Sequence, residues 1–148
     1  MTQEAATLAR TVAAGHPPAA TIQVACPGGG PFPVRYAVDG EGAPLLLTRA
    51  GSAVDTALTA PEDDDVAAVL AVPAPSGGRL WISGWSSRVT DAASLRSALL
   101  EFAAQHPTAD LLDVGQGHTL HRLAVAEVRL EGADGRLTEI DPEEYAAA

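Results

Sequence analysis

The run Arg79-Leu80-Trp81-Ile82-Ser83-Gly84-Trp85-Ser86-Ser87-Arg88-Val89, residues 79–89, decides how this chain is read. It is the longest strand candidate in the chain up to that point. Gly84 marks a bulge or bend within it. Trp81 and Trp85 lie four apart, so a regular strand points both to one face and a bulge at Gly84 splits them. Just upstream, Val66–Val72 (VAAVLAV) is an apolar run of strand length, and Pro73–Gly78 is a loop by composition. Just downstream, Asp91 caps a helix over Ala92–Gln105, with Leu95, Leu99 and Phe102 on one stripe. His106-Pro107 ends that helix.

The same reading extends to both ends of the chain. Thr2–Ala14 is an alanine-rich helix with Leu8 and Val12 on one face, stopped by Gly15 and Pro17-Pro18. Ala20–Ala25 and Pro33–Val38 are strands separated by the breaker run CPGGGP. Asp39-Gly40-Glu41-Gly42 is a turn, and Pro44–Thr48 (PLLLT) is a strand covered on both faces. Ser52 caps a second helix running to about Thr59, with Asp55 in the acceptor place of a capping box. Leu111–Val114 fits neither period. His118–Leu130 is a long strand that pairs with Gly135–Ile140, and Asp141-Pro142 opens a short last helix. The strands number six or seven, most joined by short turns, with single helices inserted. That pattern describes an α+β domain whose antiparallel sheet closes into a small barrel.

The 148 residues fit a single domain spanning 1–148, and a chain of this length buries roughly 68–70% of its unfolded surface. Its nine basic residues are all arginine and face nineteen acidic ones, a formal charge of −10. Such a surface repels a phosphate backbone, which argues against nucleic-acid binding. With no lysine, Schiff-base chemistry, covalent pyridoxal phosphate and a Walker motif are all excluded. One cysteine, Cys26, excludes an internal disulfide framework, and it reads as a buried, inert thiol. No apolar run approaches the ~20 residues of a membrane span, and the N-terminus lacks a signal peptide's apolar region, so a cytoplasmic location is expected.

Several constellations have bland readings that weigh more. His118 and His121, with Asp113 near, invite a metal, but positions three apart on a strand face opposite sides. Gly28-Gly29-Gly30 and Gly115-Gln116-Gly117 are turns rather than phosphate loops. Ser83–Ser87 contains no nucleophile elbow. The acidic run Glu62–Asp65 lacks calcium-ligand spacing and reads as a solvated loop. Trp81 and Trp85 stack on a planar ligand or fill an interface, or simply cover a half-buried sheet face. Arg35, Arg49, Arg79, Arg88 and Arg122 sit on or beside strands, where each pairs a ligand anion or one of the many carboxylates.

The order of the pieces resembles a known family. Tyr36-Ala37-Val38-Asp39 and Gly42-Ala43-Pro44-Leu45-Leu46-Leu47 precede the Ser52-led helix, and then come an apolar strand and Arg79-Leu80-Trp81-Ile82-Ser83-Gly84. This resembles the split-barrel superfamily of pyridoxamine phosphate oxidase-like, FMN-binding proteins, in its haem-utilisation (HugZ-like) branch. Leu80–Trp85, Leu111–Gly115, Leu120-His121-Arg122-Leu123 and Ala133-Asp134-Gly135 are similar to an actinobacterial set of such proteins. The resemblance implies a six-stranded antiparallel split β-barrel with flanking helices. It also implies a homodimer that binds FMN or haem, a small planar ligand, at the dimer interface. Any oxidoreductase chemistry would then belong to the cofactor.

By the same resemblance, Arg49 and Ser52 would hold the flavin phosphate, with Trp81, Trp85 and Arg35 near the groove. The family's basic residues within the following helix are replaced here by Val54, Asp55 and Ala57, and an aspartate near a phosphate repels it. In HugZ-type haem degraders the iron-ligating histidine lies in a C-terminal extension, which neither His118 nor His121 matches. The alternative is a degenerate split barrel without cofactor, acting as a dimerisation or regulatory module.

Overall fold

The computed structural model describes residues 2–15, 20–59 and 65–148. The Pro17-Pro18 stop and residues 62–64 of the acidic run lie outside them. The helices are α1 (Thr2–Ala14), α2 (Ala53–Leu58), α3 (Ala92–Gln105) and α4 (Pro142–Ala147). The strands are β1 (Thr21–Val24), β2 (Phe32–Pro33), β3 (Arg35–Val38), β4 (Pro44–Arg49), β5 (Val66–Pro73), β6 (Arg79–Arg88), β7 (His118–Glu131) and β8 (Leu137–Ile140). The stretch that fits neither period is mostly a 3-10 turn over Ala109–Asp113.

All the strands join one antiparallel sheet in the order β2-β1-β5-β6-β7-β4-β3, with β8 paired to β7. The two ends of that order are consecutive in the chain. Phe32 and Pro33 pair with β1, Arg35–Val38 pair with β4, and Val34 between them donates its amide to Ala20 O at 3.2 Å. One short segment therefore serves both edges and curls the sheet into a half-barrel. This corrects the six strands that the resemblance implies to eight among the described residues. The run 33–38 divides at Val34, whereas the hairpin of β8 on β7 is the pairing expected for Gly135–Ile140.

Gly84 marks a bulge, but the extra residue is on the neighbouring strand. Ser83 pairs with Glu127 and Gly84 with Val125, which leaves Ala126 of β7 unopposed. A Cβ on Gly84 would lie 1.9 Å from Ala124 O, so only glycine admits this approach. Because the insertion is in β7, β6 keeps its alternation. Leu80, Ile82 and Ser86 are buried on the inner side, and Trp81, Ser83 and Trp85 point outward.

The main core fills the inner face with Ile22, Leu46, Leu70, Leu80, Ile82 and Leu123, closed by α1 and Tyr145. The α1 stripe facing it is Ala6, Ala9, Val12 and Ala13, whereas Leu8 is 53% exposed. The pairing of Leu8 with Val12 on one face is thus corrected. Alanines three and four apart line the contact, and Leu8 lies off that line. A second cluster under α3 joins Ala37, Leu45, Leu47 and Leu120 to Ala98 and Phe102. Strand β4 is therefore buried on both faces, as its unbroken apolar run predicts.

Arg10 and Tyr145 tie α4 down. Arg10 Nη1 donates to Tyr145 O and Ala146 O at 3.0 Å each, its Nη2 donates to Gly40 O at 2.9 Å, and Tyr145 Oη donates to Gly42 O at 2.7 Å. Cys26 is exposed, not buried, because it sits in the turn after β1, where its amide bonds back to Val24 O.

Candidate functional site

The outward face of β6 and its neighbours forms an open groove of about 720 Å³. Trp81 and Ser83 of β6 line it with Thr21, Val69, Arg129 and Leu137 from four adjoining strands. The Arg79 guanidinium lies 5.8 Å from the centre of the Trp81 ring, within cation–π range. Arg129, opposite Trp81 in the ladder, pairs with Glu127 at 3.2 Å and Glu139 at 3.1 Å. Gln23, Val69 and Ser83 also border a second hollow of about 260 Å³, which Trp85 lines. Trp85 is 54% exposed, an unusual state for so large an apolar side chain. The two tryptophans are therefore on one continuous outer face. Arg129 and Glu131 escape a reading that stops at β6, because their place here depends on the bulge at Ala126.

Arg49 and Ser52 lie elsewhere, at the corner between β4 and α2. Arg49 is exposed, and the Ser52 hydroxyl caps α2 by accepting from the Asp55 amide at 3.2 Å. Asp55 turns its carboxylate inward, where it is buried. Its Oδ2 accepts from the Gly51 amide at 2.9 Å, and its Oδ1 lies 2.9 Å from His121 Nε2 and 3.3 Å from Thr48 Oγ1. Burial raises the Asp55 pKa, but the Gly51, His121 and Thr48 contacts outweigh it and hold the carboxyl below its ordinary value. The Gly51 and Asp55 amides at this corner are thus already satisfied by the chain's own carboxylate and hydroxyl.

Arg35 pairs with Asp110 at 2.9 Å at the edge of the sheet, away from both tryptophans. Arg122 pairs with Asp39. His118 and His121 do not converge. His118 Nδ1 faces Asp113 at 3.1 Å and its Nε2 lies 3.6 Å from Asp110, while His121 points inward to Asp55. No group of three metal-ligating side chains forms among the described residues. The Asp55–His121 pair is absent from any sequence pattern, because 66 residues separate its members. A third cleft of about 410 Å³, lined by Asp55, Arg88, Thr90, Gln116 and His118, opens between this corner and the loop before β7. Among the described residues, no helix is long and apolar enough to cross a membrane.

No family model and no curated protein matches the chain. Solved structures do. A heme binding protein from Mycobacterium smegmatis aligns with 97% of this chain at 24% identity and a TM-score of 0.65. A protein of unknown function from Agrobacterium tumefaciens aligns with 96% of it at 22% identity and a TM-score of 0.68. This chain spans 60% of the length of each. A Listeria innocua protein provisionally designated a pyridoxamine 5'-phosphate oxidase aligns with 81% of this chain and 93% of its own, at 10% identity and a TM-score of 0.53. The likeness is one of fold: the α+β half-barrel described above is the split barrel that these proteins share.

Proposed function

We propose that this chain is a homodimeric split-barrel domain that binds a planar, anionic ring system of the flavin or haem class against the outer face of β6. The observation that carries the reading is Trp81, set in a groove of about 720 Å³ with Arg79 over its ring and Arg129 beside it. An aromatic floor favours a flat ring, and the Arg79 guanidinium at its margin favours a carboxylate or phosphate, Arg129 being already paired with Glu127 and Glu139. The fold shared with a heme binding protein and a provisional pyridoxamine 5'-phosphate oxidase supports the same class.

The residues fit the ring better than they fit a phosphate at the β4–α2 corner. There Asp55 and Ser52 already hold the Gly51 and Asp55 amides, so Arg49 and Ser52 offer little beyond one exposed cation. Among the described residues no His, Cys, Met or Tyr lines the Trp81 groove, so stacking and charge, not iron ligation by them, would hold a tetrapyrrole there. A bound flavin or haem would supply the redox chemistry of an oxidoreductase. The chain's own residues bind and orient the ring and exclude water from one of its faces.

The test is a parallel titration with haemin, metal-free protoporphyrin and FMN, followed by ligand absorbance and tryptophan quenching. Saturable binding of haemin or protoporphyrin, or of FMN, that weakens at least tenfold in Trp81→Ala supports the reading. Binding unaffected by Trp81→Ala removes this face from the site. Silence with all three favours a cofactor-free dimerisation or regulatory module, the reading that Asp55's occupation of the corner supports.

A further inference from the structure

Two side-chain atoms inside the barrel, His121 Nδ1 and Ser86 Oγ, have no hydrogen-bond partner among the described residues, and both residues are fully buried. They lie on neighbouring strands. Ser86 pairs with Leu123, and His121 is two positions along β7 from Leu123, facing the same side. The residues are thus diagonal neighbours across an antiparallel ladder, about 7–8 Å apart between Cα atoms.

The other ring nitrogen of His121 is committed. Nε2 lies 2.9 Å from Asp55 Oδ1, and an ionised carboxylate only accepts, so Nε2 carries the proton. Nδ1 of the neutral ring is then a bare acceptor. Burial favours that neutral ring and Arg88 adds to the effect, while Asp55 opposes it. The Ser86 hydroxyl has a proton to give. Buried groups of this kind almost always find a partner, and ordered water serves where no protein atom is in reach.

We propose that the barrel binds one ordered water between Ser86 and His121. The water accepts the Ser86 hydroxyl proton and donates to His121 Nδ1. A hydrogen-bonded chain then runs from Ser86 of β6 through the water and His121 of β7 to Asp55 of α2. It ends at the cleft of about 410 Å³ that Asp55 lines. Helix α2 is thereby linked to the barrel interior, not merely laid on its rim.

Water–protein Overhauser spectroscopy and the ring ¹⁵N shifts of His121 test this at neutral pH. The expected result is a long-lived water cross-peak to the His121 ring protons, with Nδ1 unprotonated and accepting. In Ser86→Ala the cross-peak disappears while the spectrum remains that of a folded protein. An absent cross-peak in the unsubstituted protein, a protonated Nδ1, or a cross-peak unchanged in Ser86→Ala overturns the proposal. Should Ser86→Ala fail to fold, the first two readouts decide.

Discussion

Gln105, the last residue of α3, grips Val38 of β3 by its backbone. Gln105 Nε2 donates to Val38 O at 2.7 Å, and the Val38 amide donates to Gln105 Oε1 at 2.9 Å. A side-chain amide here does the work of a neighbouring strand. It satisfies both polar groups at a sheet edge that would otherwise attract another chain.

Gln105→Ala removes both bonds, each worth about 0.5–1.5 kcal/mol net. We expect urea unfolding to report a loss of about 1–3 kcal/mol. Light scattering should also show more self-association, because the β3 edge is then open. Gln105→Glu should fall between, since a carboxylate keeps the acceptor and loses the donor.

Stability should fall as the pH is lowered through the histidine range. The His121 pKa lies below its ordinary 6.5 because burial disfavours the imidazolium; Asp55 pulls it back up and Arg88 pushes it further down. The unfolded chain accepts a proton that the folded chain refuses, so the stabilisation is complete above the ordinary value and is lost as pH falls below it. The depressed Asp55 carboxyl adds a second loss as pH falls through its ordinary 3.8. Unfolding free energies between about pH 7.5 and about pH 5 should decline in the natural chain. They should decline less in His121→Gln.

Asp55→Ala leaves a buried His121, the Gly51 amide and Thr48 without their shared acceptor. His121 is neutral, so the cost is that of leaving buried polar groups unsatisfied, about 1–3 kcal/mol for such a group. Thermal melts should show a loss of that size, with Asp55→Asn milder because it keeps an acceptor oxygen. Amide exchange in α2 should accelerate first.

The clasp on α4 gives a graded series. Tyr145→Phe removes only the bond to Gly42 O and should cost about 1 kcal/mol. Gly42→Ala should cost more. Its φ of +80° disfavours any side chain, and a Cβ there would lie 2.6 Å from Tyr145 Cε2 and 2.7 Å from Arg10 Cδ. Equilibrium unfolding of the two variants checks the order.

What was legible in the sequence was local. α1 and α3 start and stop where their periods, the Asp91 cap and the helix breakers require, and the apolar run of β4 tells correctly that both its faces are covered. What escaped depends on pairing. Val34 looks like the middle of one strand, and only its position between the two sheet edges makes it a junction. Asp55 reads as a capping residue or a charge repelling phosphate, whereas its carboxylate is drawn inward by His121, a residue remote in sequence. Of the candidate site, the spacing of four puts Trp81 and Trp85 on one side only if β6 is regular, and it is regular because the extra residue falls in β7. Arg79 lies on the same strand, but Arg129 and Glu131 come from β7, in a register set by a bulge that Gly84 signals without locating.

The long strand β7 has one more consequence, for the order in which the chain is made. Strand β4 has β7 as its inner neighbour, and the start of β7 at His118 comes 69 positions after the end of β4 at Arg49. At ribosomal speeds of about 5–20 residues per second, Pro44–Leu47 waits roughly 3–14 s for its partner to be synthesised. Through that interval a strand buried on both faces in the finished fold has only the β3 hairpin on one side. The leucines of β4 are therefore open to non-native pairing until His118–Glu131 arrives.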